Sequence, residues 1–166
     1  FFKQKTAYEI VDCDWSSDVC SSNLARCVVA EAEIALVSRD LGYQAKQLDT
    51  ARATLEARGD RLNAAHARHL EIRRLVLIGR LDEAERALAK LDPAPFPPAQ
   101  RAAHDLVVAG VALRRLKTKT ASAALAHGAQ AARASGVPAL VAEIETAALA
   151  LKAPAARLIV SGAEIG

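Results

Sequence analysis

The chain has 166 residues, 22 of them Lys or Arg against 19 Asp or Glu, a net charge of +3, 52% hydrophobic residues and only 4% aromatic ones. That length bounds it to about one domain-sized body, and with acids and bases interspersed there is no polybasic tail to grip a polyanion. Its longest apolar stretch, Leu106 to Leu113, is far short of the about 20 residues that cross a bilayer, so no membrane role is expected and a cytoplasmic protein is the default.

From its start the chain reads Lys3-Gln4-Lys5-Thr6-Ala7-Tyr8-Glu9-Ile10, then Val11-Asp12-Cys13, then Asp14-Trp15-Ser16-Ser17-Asp18-Val19-Cys20-Ser21-Ser22-Asn23-Leu24. The outer blocks resemble one reading frame of a short-read sequencing adapter, AAG CAG AAG ACG GCA TAC GAG AT and GAC TGG AGT TCA GAC GTG TGC TCT TCC. The three residues between them sit where a sample index would. Asn23 departs from the Asp of that frame, which a single G-to-A substitution explains. Composition shifts at the same place, since no alanine lies between Ala7 and Ala25 while alanine and arginine dominate beyond. The resemblance implies that residues 1–24 are a non-native, unstructured segment to be set aside in fold reasoning, leaving residues 25–166 as a body incomplete at both ends. Removing its two basic and four acidic residues raises the net charge from +3 to +5, and the only Trp, Trp15, goes with it.

The body opens with a helix over Ala25–Arg39, with Val29, Ala32 and Leu36 on one stripe. After Asp40-Leu41-Gly42, a second helix runs from Tyr43 to Arg58 with Leu48, Ala51 and Leu55 inward, closed by Gly59. Asp60 caps a third helix from Arg61, whose stripe of Leu62, Ala65, His69, Ile72, Leu75 and Val76 ends at Gly79. Leu81–Leu91 follows, with Ala84, Leu88 and Leu91 inward. The prolines at 93, 95, 97 and 98 then form an extended connector, with Pro98 able to open the next helix. That helix reaches about Leu116 through Ala102, Leu106, Val107, Ala109 and Leu113. Thr120–Ser135 and Ala139–Leu151 make a last pair around Gly136-Val137-Pro138, and Arg157-Leu158-Ile159-Val160 could be strand or helix.

Helices alternate with glycine- or proline-marked turns, and the pattern repeats. Leu41 and Leu48 recur forty residues on as Leu81 and Leu88, and Ala84, Ala87 and Leu88 recur thirty-seven on as Ala121, Ala124 and Leu125. These periods fall in the range of helical solenoids, roughly 34 to 47 residues. The expected fold is therefore all-α, with antiparallel helix pairs stacked into a solenoid, because one pair alone cannot bury its apolar face.

The stretch Leu77-Ile78-Gly79-Arg80-Leu81-Asp82-Glu83-Ala84-Glu85-Arg86-Ala87-Leu88 resembles the turn and second helix of a degenerate tetratricopeptide repeat. The first-helix Trp and Leu-Gly signals are missing, and Pro93 arrives about three residues early. With its Ala-Arg bias the body is also similar to helical-repeat regions of large bacterial transcription regulators, which set such arrays beside a helix-turn-helix or winged-helix domain. The resemblance implies a TPR-like domain over 25–166 that binds a protein, a peptide or another domain of its own chain, and that reaches DNA only through a domain outside this fragment.

No catalytic, cofactor-binding or metal-ligating residue is assigned, and no cofactor is expected. Cys13, Cys20 and Cys27 stand seven apart, whereas zinc ligands pair two to four apart. Cys27 alone belongs to the body, where it reads as a small buried hydrophobe. His66 and His69 share a helix face, but His66-Ala67-Arg68-His69 lacks the His-Glu-x-x-His order and no third ligand is evident. His104 and His127 stand alone. Neither a Gly-x-x-x-x-Gly-Lys-Ser/Thr loop nor Gly-x-Gly-x-x-Gly occurs. Of Ser38, Ser122, Ser135 and Ser161, two fit helix ends better than nucleophilic catalysis. Arg73-Arg74 and Arg114-Arg115 with Lys117 and Lys119 could touch phosphates, but no base-reading residue accompanies them and cations gather in last helical turns for the dipole. A non-catalytic scaffold is expected; the alternatives are a DNA-binding module using these arginines and a metal-dependent enzyme using the His pair.

Overall fold

The computed structural model describes residues 17–42, 45–153, 158–160 and 163–165. These residues are overwhelmingly helical and the class is all-α. The helices are α1 (Ser17–Val37), α2 (Ala45–Ala57), α3 (Arg61–Leu77), α4 (Leu81–Leu88), α5 (Pro98–Arg114), α6 (Thr118–Ser135) and α7 (Pro138–Lys152). The ambiguous last run forms a small antiparallel ribbon, in which Leu158–Val160 pairs with Ala163–Ile165 in the register Leu158↔Ile165, Ile159↔Glu164 and Val160↔Ala163.

Five helices end in the same way. Arg39, Gly59, Gly79, Leu116 and Gly136 all have left-handed backbone, with φ of 60°, 74°, 81°, 57° and 68°. After the first four, the left-handed residue and its successor donate N–H bonds backward, as in Asp60 N to Leu55 O at 2.9 Å and Gly59 N to Glu56 O at 3.1 Å, or Lys117 N to Ala112 O at 2.9 Å and Leu116 N to Leu113 O at 3.0 Å. This reverse turn satisfies carbonyls that a helix end otherwise orphans. The five positions are spaced 20, 20, 37 and 20 residues apart.

The chain divides into two compact units, one to Arg74 and one from Leu75. In the first, Ala25, Val29 and Ala32 of α1, Leu48, Ala51 and Leu55 of α2, and Ala64, Ala67 and Leu70 of α3 form one apolar cluster. Short turns fold the three helices back on one another, and alanine at five of those nine places lets their backbones approach closely. In the second, Ala102 and Ala109 of α5, Leu125, Ala131 and Ala132 of α6, and Ile144 of α7 form the corresponding cluster. At its tightest point lies Gly128 of α6, where a Cβ would meet Asp105 Cβ at 3.0 Å and Ile144 Cδ1 at 3.3 Å.

Some details depart from the sequence reading. The opening helix starts at Ser17, not Ala25, whereas residues 1–16 lie outside the described residues. Cys27 is exposed rather than buried, because the inward stripe of α1 is Ala25, Val29 and Ala32, and position 27 falls on the opposite side of that stripe. Leu62 is 41% exposed. Its helix buries Ala64, Ala65, Ala67, His69, Leu70, Ile72 and Leu75, too much of its circumference for one narrow stripe to describe. The helix expected to Leu91 stops at Leu88, and Lys90 N to Ala87 O and Leu91 N to Leu88 O carry the chain on as tighter turns.

Candidate functional site

Asp60 is the cap the sequence indicated. Its Oδ1 accepts Asn63 N at 3.3 Å, and its Oδ2 accepts Asn63 Nδ2 at 2.8 Å and Arg26 Nη2 at 2.7 Å. Slight burial raises the carboxyl's pKa, but the bonds from Asn63 and Arg26 outweigh it and hold it below its ordinary value. This group anchors α1 to the start of α3. It faces no cleft.

The two histidines weighed, and not assigned, as a metal pair go separate ways. His66 Nε2 lies 3.2 Å from Glu33 Oε2, while His69 is buried. Among the described residues no group of three or more His, Cys, Asp or Glu is placed to hold a metal. Ser38 Oγ donates back to Ile34 O at 2.9 Å, and Ser135 Oγ to Ala132 O at 2.6 Å while accepting Val137 N at 3.2 Å. Both hydroxyls serve helix ends, as their positions suggested.

Part of the basic cluster is neutralised within the second unit. Arg115 pairs with Asp82 and with Glu85, and Lys117 Nζ lies 3.2 Å from Glu85 Oε1. The hydrogen bond from Lys117 is the largest influence on Glu85; although burial opposes it, both neighbouring cations add to it and its carboxyl is held below the usual range. Arg74 Nη2 reaches Leu41 O at 3.5 Å. Two of the cations that might have met phosphates are thus committed to carboxylates, which lowers what a DNA backbone could gain from them.

Each unit carries a surface depression. One, of about 250 Å³, lies in the second unit beside Asp92, Arg101, Asp105 and His127. Within it His127 Nδ1 sits 2.6 Å from Asp105 Oδ2, the imidazole largely exposed and the carboxylate only 13% so. A carboxylate on Nδ1 fixes the ring and presents Nε2 outward; the described residues lining this space include no Ser or Cys. The pair ties α5 to α6. Sequence reading left His127 isolated because its partner is 22 residues away; the signal that finds it is reflection, since Asp105 and His127 stand eleven residues either side of Leu116. The other depression, of about 590 Å³, lies in the first unit along α1 and the start of α2.

Burial along α1 also bears on the segment that resembles an adapter. Asn23 and Leu24 are exposed, and Ala25 is the first buried residue among those whose side chains are described.

No protein-family model matches the chain, and neither a curated protein nor a solved structure does. No helix among the described residues is long and apolar enough to cross a membrane.

Proposed function

We propose that residues 25–166 form a non-catalytic, TPR-like helical-repeat scaffold, which binds a peptide or another domain as part of a bacterial transcription regulator. The observation that carries this reading is a recurrent separation. In the first unit Arg26 pairs with Asp60, Glu33 with His66 and Leu41 with Arg74, at separations of 34, 33 and 33 residues. In the second, Asp82 pairs with Arg115 and Glu85 with Lys117, at 33 and 32. Contacts repeated at one such interval are what an array makes when each helix lies against its counterpart one repeat on. The left-handed turns at Arg39, Gly79 and Leu116, 40 and 37 residues apart, recur instead at the longer interval of the sequence repeat.

Ala84 and Ala121, related by the repeat, are both fully buried. Replacing either by Phe should lower helicity and melting temperature, since overpacking a close helix contact costs about 1–3 kcal/mol. Unchanged melting in both variants would remove the stacked-pair reading. The DNA-binding alternative predicts affinity for duplex DNA that falls steeply with salt; the scaffold reading predicts none for this chain.

We also infer that residues 1–24 derive from an adapter, a reading supported by the two-block match and by Ala25 being the first buried residue among those whose side chains are described. The coding DNA upstream of Ala25 in the source genome decides it: a native reading frame there would differ from this segment, whereas an identical one would end the proposal.

A further inference from the structure

The depression on the first unit has a mixed chemistry. Ile34, 69% exposed, and Ala35 form its apolar wall, with Val37, 75% exposed, near it on α1. Glu31 lies one turn before Ile34 and Asp40 follows in the turn, so two carboxylates border the wall, and none of the described lining residues is basic. Arg39 and Lys46 adjoin the lining in sequence, but the described charged residues that line it are both acidic. A large aliphatic side chain held out in water gains nothing for the isolated fold, whereas adjoining apolar and acidic groups complement a ligand that brings an aliphatic residue next to a cation.

We propose that this groove is a docking site for a short basic peptide segment, one that sets a Leu, Ile or Val against Ile34 and a neighbouring Lys or Arg against Glu31 and Asp40. The proposal rests on the scaffold reading and specifies its partner's chemistry. Glu31 and Ile34 are the residues to change, because both are exposed and neither belongs to the apolar cluster of the unit. Asp40 is a poorer choice, since its Oδ1 accepts Gly42 N at 3.0 Å and shapes the turn.

The test is selection from a phage-displayed library of random dodecapeptides on the full chain. Enriched peptides should carry Lys or Arg within four positions of an aliphatic residue, and should bind about tenfold more weakly to Glu31→Lys and to Ile34→Ser. Their affinity should fall between roughly 50 and 300 mM salt. Circular dichroism melts of both variants should match the parent, which separates lost docking from lost folding. Enriched peptides without basic residues, equal affinity for parent and variants, or no enrichment at all would each overturn the proposal. Peptides that bind with no sensitivity to either substitution, while moving amide resonances only of the second unit, would overturn the groove and leave the scaffold reading standing; failure of the Ala84→Phe and Ala121→Phe test would remove that reading instead.

Discussion

Gly128 and Asp105 meet where α6 crosses α5, so closely that a Cβ on the glycine would stand 3.0 Å from the Cβ of the aspartate. Asp105 Cβ is fixed to a helix backbone and cannot swing away, and Ile144 Cδ1 closes the other side at 3.3 Å. Gly128→Ala is therefore expected to destabilise by about 1–3 kcal/mol, even though alanine is the better helix former. Gly110 is the control: it also lies within a helix, but a Cβ there meets nothing within 4 Å. Gly110→Ala should stabilise by about 0.5–1 kcal/mol. Thermal melts of the two variants moving in the same direction would refute this account of the crossing.

Arg39 and Leu116 hold a backbone conformation that glycine holds at Gly59, Gly79 and Gly136. A side chain in that region costs about 1–2 kcal/mol, and Leu116 is 86% exposed, so it gains little from burial in return. Leu116→Gly and Arg39→Gly should each raise the melting temperature by a few degrees, about 1 kcal/mol. Gly79→Ala should lower it by a similar amount. Destabilisation by Leu116→Gly would show that Leu116 makes contacts its exposure does not suggest.

His104 sits buried on α5, and burial pushes its imidazole below the ordinary value, with Asp105 pulling less strongly the other way. The unfolded chain binds a proton near pH 6.5 while the fold resists it, so the unfolded state carries more protons just below that pH. Stability should thus fall as pH drops below about 6.5 and level off once the folded-state value is passed. Melts between pH 8 and 5 test this, and His104→Gln should flatten the slope; a slope identical to the parent's would assign it to other groups.

Acid should act separately on Glu85. Its folded-state pKa is depressed, chiefly by the hydrogen bond from Lys117 and also by Arg115, so its contribution is present above the ordinary value of 4.5 and is lost as pH falls through the depressed one. Lys117→Gln should shrink the acid-dependent loss, and so should high salt, because the cluster is open to solvent. Equal acid sensitivity of Lys117→Gln and the parent would show that this cluster contributes nothing measurable.

The helices were legible because Gly59, Gly79, Gly136 and the prolines punctuate them and apolar periodicity fills the intervals. Two of the five left-handed turns were not, because Arg39 and Leu116 give no glycine to read. The candidate site was harder still. Polar partners 32 to 34 residues apart become neighbours only once the repeat phase is known, and Asp105 with His127 only once the turn at Leu116 is placed. Cys27 misleads for another reason: its apolar neighbours suggest burial, although the stripe of Val29, Ala32 and Leu36 already puts position 27 on the far side of α1.

Of the helix connections described, the one between α4 and α5 differs in kind. Expected to be extended, it is instead bent, with Asp92 Oδ1 accepting Ala94 N at 2.9 Å and Pro93 O accepting Phe96 N at 3.0 Å in a tight turn, and with no left-handed residue. The other turns hold their helices at a set rotation, so a residue added there would swing a whole helix face out of register. Residues added at its exposed tip, between Ala94 and Pro95, would lengthen this turn without rotating a helix face. That makes this stretch the place where the chain can accept a length change, or a fused label, at least cost to its neighbours.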